Sequence, residues 1–275
     1  MKKITILIPC YNEADAIANV IKKFPREQLL RFGYNLEVLV IDNNSKDDTA
    51  KIAEAAGARV IHEPKPGKGN AIRTGFYHIS DDTDYVAMLD GDDTYRPEEI
   101  MRLIEPIDSG FAKVIIGSRM HGDIKPGSMK RFNHLGNRIY SRLVRSAYNV
   151  KVTDVLTGYY AWSREVVEEL RPYLKAQDFT IEMEMVTKMA RMGYEIYCVP
   201  ISYDPRLGSS SLKPIRDGSR IMKMYIRNLT WQPSLDQQAI IPTIKTAETE
   251  RFVLKQTHDK ELQHGRPTAK DSAGI

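Results

Sequence analysis

The amino-acid sequence predicts an α/β protein, a mostly parallel β-sheet with helices on both faces. Three observations lead there. Short apolar runs, most of them rich in β-branched residues, recur at residues 4–8, 36–41, 58–62, 85–89 and 113–117. Helix-like segments separate them at 13–24, 47–56, 69–79 and 98–107. Chemically loaded residues crowd four of the segments that follow the strands. Strand–helix alternation is the pattern of βαβ units, and runs this apolar suit strands covered on both sides. In such sheets the ligand crevice lies beyond the carboxyl ends of the strands.

The elements follow in order. The first run ends in Pro9-Cys10-Tyr11-Asn12-Glu13, where a ring and a carboxylate at a strand-to-helix turn suit a nucleobase. A helix start capped by Asn12 reads equally well there. The second run ends in Asp42, well placed for a ribose or a base edge, and Asn44 or Ser45 then reads as the cap of the next helix. The third leads to Pro64-Lys65-Pro66-Gly67-Lys68-Gly69-Asn70. This lacks Walker spacing, so a P-loop is rejected, but two glycines and two lysines before a helix can cradle an anion or nucleoside. The fourth ends in Asp90-Gly91-Asp92-Asp93-Thr94, three carboxylates in four positions. Carboxylates so close repel one another unless a cation sits among them, which suits Mg²⁺ or Mn²⁺ held against a diphosphate. Arg96-Pro97-Glu98-Glu99 then opens a helix.

Later segments are basic. Residues 130–148 form a helical pattern with Phe132, Leu135, Ile139, Leu143 and Val144 as an apolar stripe beside Arg138, Arg142 and Arg145. Either the stripe packs on the sheet, or it lies at a membrane interface and guides a lipid phosphate. Residues 215–229, with Arg216, Arg220, Lys223 and Arg227, invite the same two readings. A helix at 180–192 and a strand at 195–201 lie between, followed by a Ser-, Gly- and Pro-rich loop at 202–214. Glu182 and Glu184 cannot face the same way on that helix. Beyond Trp231 the chain turns polar, and residues 255–275 read as disordered.

The 275 residues carry a formal charge of +4, too small to point to nucleic acid. Lysine and arginine thicken after residue 113 while the acidic cluster lies before it, as an anion held between two halves would require. Cys10 and Cys198 fall in apolar runs and read as buried thiols, not a disulfide or zinc site. Pro9, Asn12, Glu13 and Asp15 interrupt the first run too early for a signal peptide, and no stretch approaches the ~20 apolar residues of a membrane helix.

In this order the pieces resemble the family 2 glycosyltransferases, which have the GT-A, Rossmann-like fold. The resemblance rests on Ile8-Pro9-Cys10-Tyr11-Asn12-Glu13, Ile41 to Thr49, Gly67-Lys68-Gly69-Asn70-Ala71, Leu89-Asp90-Gly91-Asp92 and Gly117-Ser118-Arg119. Asp154 to Tyr159, Thr180 to Glu184 and Arg206 to Leu212 are similar to dolichyl-phosphate mannose synthase and related polyprenyl-phosphate glycosyltransferases. Asp90 to Tyr95 departs from the Asp-Ala-Asp of the mannose synthases. It is closer to archaeal enzymes that charge dolichyl phosphate from UDP-sugars.

The resemblance implies a catalytic domain over 1–230, with a nucleotide-sugar half at 1–120 and an acceptor half at 121–230, and a polar tail at 231–275. It implies a metal-dependent hexosyltransferase moving a sugar from a nucleotide-diphosphate donor, UDP-sugar favoured over GDP-mannose, to dolichyl or polyprenyl phosphate. A soluble family 2 enzyme with a small or saccharide acceptor is the alternative. Pro9, Tyr11, Asn12, Glu13, Asp42, Lys68, Gly69, Asn70, Asp90, Gly91 and Asp92 would line the donor site, with Mg²⁺ or Mn²⁺ on Asp90 and Asp92. Arg119, Arg131 and Arg206 would contact phosphates. Asp154 reads as a positioning residue or base, and equally as a cap or ion-pair partner. The partners would be the nucleotide-sugar and the polyprenyl phosphate, with no nucleic acid, and the location peripheral on the cytoplasmic face of the membrane.

Overall fold

A computed structural model describes residues 1–206 and 213–233. The expected tail at 231–275, apart from its first three residues, and Leu207 to Leu212 of the loop lie outside the described residues. Met1–Gln232 form one compact unit.

Seven strands form one sheet in the order β3-β2-β1-β4-β6-β5-β7. They are β1 (Lys2–Cys10), β2 (Tyr34–Asp42), β3 (Arg59–His62), β4 (Tyr85–Met88), β5 (Val114–Ile124), β6 (Tyr160–Ser163) and β7 (Ile196–Tyr203). The β1–β2, β1–β4, β2–β3 and β5–β7 pairs are parallel, whereas β6 runs antiparallel to both β4 and β5. Six strands therefore point one way and β6 alone points back. Ile4, Ile6, Leu7 and Ile8 of β1 are fully buried, as a central strand covered on both faces requires.

The helices are α1 (Ile17–Lys22), α2 (Arg26–Arg31), α3 (Thr49–Ala55), α4 (Lys68–Tyr77), α5 (Ile100–Asp108), α6 (Arg131–Tyr148), α7 (Arg164–Leu170), α8 (Ile181–Arg191) and α9 (Pro214–Asn228). The helix expected over 13–24 starts four residues late. Asn12 takes a left-handed backbone, φ 55°, and the next two amides bond to the start of α3 and the loop before it rather than to a helical turn of their own. Glu13 N donates to Thr49 Oγ1 at 2.9 Å and Ala14 N to Asp47 Oδ2 at 3.2 Å. Asn12 itself links the two loops, its N donating to Ser45 Oγ and its Oδ1 accepting from Lys46 N. It does not cap α1, and α3 is opened by Asp47, whose Oδ1 accepts Thr49 N.

α6 answers one of the two readings of its stripe. Val144 is buried, but Phe132, Leu135 and Ile139 are 62%, 58% and 50% exposed, so the first half of the stripe is not packed on the sheet. Ile215, at the start of α9, is 83% exposed. Among the described residues no helix is long and apolar enough to cross a membrane.

Candidate active site

A cleft of about 1180 Å³ opens along the carboxyl edge of the sheet. Its inner wall comes from Pro9, Tyr11 and Glu13 after β1, Asn43 after β2, Lys68 at the start of α4, and Asp90 and Gly91 after β4. Arg119 of β5, Glu182 of α8 and Arg206 after β7 complete it. At the other end it runs out between α6 and α9, past Met129, Phe132, Ile215 and Ile221.

The loop before α4 is fixed from outside. Asn43 Nδ2 donates to Lys65 O at 2.7 Å and to Glu63 O, and its Oδ1 accepts Gly67 N at 2.6 Å. Gly67 has φ 125°, and a Cβ on it would lie 2.1 Å from Gln177 O, so only glycine fits. Gly69 packs as tightly on the 176–177 backbone. Asn70 is buried and donates to Pro66 O. Gly69 and Asn70, expected to bind the nucleotide, thus shape the loop that presents Lys68. Asn43, which the sequence reading passed over, is the residue that pins it.

Asp42 is buried at the end of β2. Its Oδ2 meets His62 Nδ1 at 3.0 Å, and its Oδ1 has no hydrogen-bond partner among the described residues. A buried carboxylate oxygen left unpaired is costly, and a nucleoside hydroxyl or N–H would satisfy it.

At the carboxylate cluster, Asp92 is buried and its Oδ1 accepts Thr94 N at 3.1 Å and Thr94 Oγ1 at 2.6 Å. Its Oδ2 meets Arg206 Nη2, and Arg206 Nη1 stands 4.0 Å from Glu13 Oε1. Asp90 Oδ1 meets Lys68 Nζ at 2.7 Å. Its other face is closed by Gly158, where a Cβ would sit 2.5 Å from Asp90 Oδ2. The third acid, Asp93, turns away with φ 61° and pairs with Lys23 at 2.7 Å.

Burial, and then the charge of Asp90, raises the Asp92 carboxyl above the ordinary aspartate range. Glu13 is pushed up to about 7 by burial and by the Asp92 charge, with Arg206 opposing. Burial works against the Lys68 ammonium, yet Asp90 and Glu182 outweigh it and hold it protonated.

Arg119 and Asp154 form a second buried unit. Asp154 Oδ2 accepts Arg119 N and Nε, each at 2.8 Å, and Oδ1 accepts Arg119 Nη2 at 2.8 Å and Asn137 Nδ2. Arg119 Nη2 also donates to Leu156 O at 2.8 Å, and the guanidinium lies 5.1 Å from the Tyr203 ring centroid. Asp154 is fully buried, and both its oxygens are engaged. Of the alternatives for Asp154 the structure shows the ion-pair partner, which holds Arg119 at the cleft wall. Arg131 is exposed at the first turn of α6, beside the cleft residue Lys130.

The two acids of α8 separate as helical geometry demands. Glu182 faces the cleft, its Oε1 2.7 Å from Lys68 Nζ. Glu184 faces inward, accepting the amides of Lys175 and Ala176 and the Lys188 ammonium.

Among the described residues no group of three or more His, Cys, Asp or Glu side chains gathers into a metal cage. The Asp90–Asp92 pair nonetheless fits a hard divalent cation. Its donors are oxygens, the two carboxylates stand close enough for the Asp90 charge to raise the Asp92 carboxyl, and Mg²⁺-type sites need only one or two carboxylates when phosphates complete the shell. Mn²⁺ affinity is therefore expected to rise between about pH 6 and pH 8 as the nearby Glu13 loses its proton. Glu13→Gln should flatten that rise in a calorimetric titration. The sign for stability is opposite. Glu13 titrates higher in the fold than its ordinary 4.5, so its contribution is fully present below about 4.5 and is lost as pH rises through 7.

The chain matches the family model Glycosyl transferase family 2 over residues 5–171. It is 39% identical over 234 residues to glycosyltransferase AglJ of Haloferax volcanii, covering 84% of this chain and 73% of the relative. It is 30% identical to a dolichyl-phosphate hexose transferase of the same organism, over 82% of this chain and 92% of the relative. Among solved structures it resembles glucosyl-3-phosphoglycerate synthase from Mycobacterium tuberculosis in complex with Mn²⁺, UDP and phosphoglyceric acid. The TM-score is 0.64 and the identity 23%, over 85% of this chain and 80% of the other. The seven-stranded sheet is thus of the GT-A type, and the chain belongs to glycosyltransferase family 2.

Proposed function

We propose that the protein transfers a hexose from a nucleotide-diphosphate sugar, a UDP-sugar in the first place, to a polyprenyl phosphate while lying on the cytoplasmic face of the membrane. The observation that carries this reading is the shape of the cleft. It begins at carboxylates and cations suited to a diphosphate and ends between two helices whose exposed side chains are apolar and basic. A soluble acceptor has no use for Phe132, Leu135, Ile139 and Ile215 in water, whereas an interfacial helix does. Arg131, Arg138, Arg142, Arg216 and Arg220 on the same two helices suit an anionic lipid surface. The name of the Haloferax dolichyl-phosphate hexose transferase supports the acceptor class. UDP in the mycobacterial complex accords with the donor class.

In this mechanism the unpaired Oδ1 of Asp42 receives a nucleoside donor group, and Tyr11, exposed on the cleft wall after β1, offers a ring for stacking. Asp90 and Asp92 would hold a divalent cation, and its charge would offset that of the leaving diphosphate. Lys68 and Arg206 stand at the same place and bind the diphosphate oxygens directly. Arg119, kept rigid by Asp154, faces the cleft midway. The acceptor phosphate is anionic at neutral pH, so a strong general base is not needed, which accords with Asp154 being fully engaged elsewhere. Lys130 and Arg131 stand where the acceptor end opens and offset its charge.

The test is a panel of UDP- and GDP-sugars carrying labelled hexose, incubated with dolichyl phosphate and Mg²⁺ or Mn²⁺. Metal-dependent label in a chloroform-soluble product, strongest with a UDP-sugar, is expected, together with sedimentation of the protein on anionic vesicles. Label confined to water-soluble products would replace the lipid acceptor with a soluble one. A flat panel would remove the transferase reading.

A further inference from the structure

Glu182 is a buried titratable group that this mechanism does not use. Its Oε1 lies 2.7 Å from Lys68 Nζ, and the same ammonium lies 2.7 Å from Asp90 Oδ1. Across the cluster, Arg206 pairs closely with Asp92 and reaches Glu13 more loosely, at 4.0 Å. Each cation is thus shared by an inner carboxylate, Asp90 or Asp92, and an outer one, Glu182 or Glu13. Four carboxylates against two cations leave two negative charges when all are ionised, the complement of one divalent cation.

A shared cation neutralises neither partner fully. If Glu182 were absent, Lys68 would pair with Asp90 alone and cancel most of the charge that attracts a metal. Burial makes this division effective, because water does not screen the pair strongly. Glu184, two residues on, cannot substitute, since it faces the 175–176 backbone and Lys188.

We infer that Glu182 is a positioning residue of the donor site: by drawing Lys68 partly off Asp90, it preserves the charge with which Asp90 takes a divalent cation and keeps the ammonium turned to the cleft. This deepens the reading of Asp90 and Asp92 as the metal-holding pair and rests on it.

The test is calorimetric titration of the full chain with Mn²⁺ alone and, separately, with UDP in the presence of EDTA. Glu182→Gln is expected to weaken Mn²⁺ binding about five- to tenfold while metal-free UDP binds as well or better. Opposite responses to a cation and an anion are what a merely structural loss would not produce. Lys68→Met should strengthen Mn²⁺ binding severalfold, an outcome that does not depend on the Glu182 variant folding. In that background Glu182→Gln should cost less than about twofold, because its effect passes through Lys68. The inference fails if Glu182→Gln leaves Mn²⁺ binding unchanged, weakens Mn²⁺ and UDP together, or costs the same factor in the Lys68→Met background. It fails also if Lys68→Met weakens Mn²⁺ binding. If the unaltered chain does not bind Mn²⁺ with or without UDP, the metal reading and this inference fall together; binding by the unaltered chain with any of the other results removes the inference alone.

Discussion

Asp92→Asn is expected to lower transferase turnover by ~10²–10³-fold with little loss of stability, and to abolish calorimetrically detectable Mn²⁺ binding in the absence of donor. The separation of the two effects follows from how the two carboxylate oxygens are used. Oδ1 accepts Thr94 N and Thr94 Oγ1, and an asparagine carbonyl can accept the same bonds, so the turn after β4 is kept. The other oxygen faces Arg206, and replacing it with an amide removes the charge at the cluster while preserving volume. Arg206 would then lose the charge of its Asp92 partner. Urea unfolding with an unchanged slope and nearly unchanged midpoint, alongside collapsed turnover, would establish the pattern. Turnover within about threefold of the unaltered chain would remove Asp92 from the mechanism.

Asp154→Ala is expected to act the other way, costing about 3–5 kcal/mol of stability, because it leaves the Arg119 guanidinium buried without its counter-charge. Domains of this kind have only about 5–15 kcal/mol in total, so the variant should unfold at markedly lower urea. Asp154→Asn should fall close behind, since it keeps the shape but not the charge. A different outcome, full stability with lost turnover, would mean that Asp154 acts on substrate directly, against its complete burial. The exposed Lys51–Asp48 pair is the control. Solvent screens it, and its removal should leave the midpoint where it was.

Much of this architecture was legible because the parallel strands announce themselves. Runs such as Ile4 to Ile8 and Leu36 to Ile41 are too apolar and β-branched for an exposed element, and their polar followers mark the carboxyl edge. β6 was not legible. Tyr160-Ala161-Trp162-Ser163 is four residues long, lacks β-branched residues and belongs to the sheet through the neighbours on either side of it. α2 and α7 span only six and seven residues, too short for a clear periodicity. α1 was expected to begin too early, because nothing local shows that Thr49 and Asp47 would take the amides of Glu13 and Ala14.

At the site, Asp90, Asp92, Lys68 and Glu13 could be gathered from strand ends alone. Pairings across the chain could not. Arg119 and Asp154 are 35 positions apart, and their union depends on β5 and the segment before β6 meeting in space. The choice between Glu182 and Glu184 turns on the rotation of α8, which is set by packing and not by the spacing of the two acids. The stripe on α6 could be seen but not assigned, since periodicity alone does not distinguish a face buried on a sheet from one turned outward.

The lone reversed strand also indicates where the molecule can be tethered. Because β6 points against its neighbours, its start rather than its end lies at the cleft, and the segment leading into it brings Gly158 under Asp90. Its end emerges on the opposite rim, where Ser163 N bonds to Lys113 O and Arg164 N to Asp84 O. The turn at 109–111 sits on that remote rim, exposed and reversed at Gly110 with φ 77°. A fluorophore or an immobilising tag placed there would leave the cleft and both basic helices clear, giving a fixed orientation for single-molecule or surface-based measurements on vesicles.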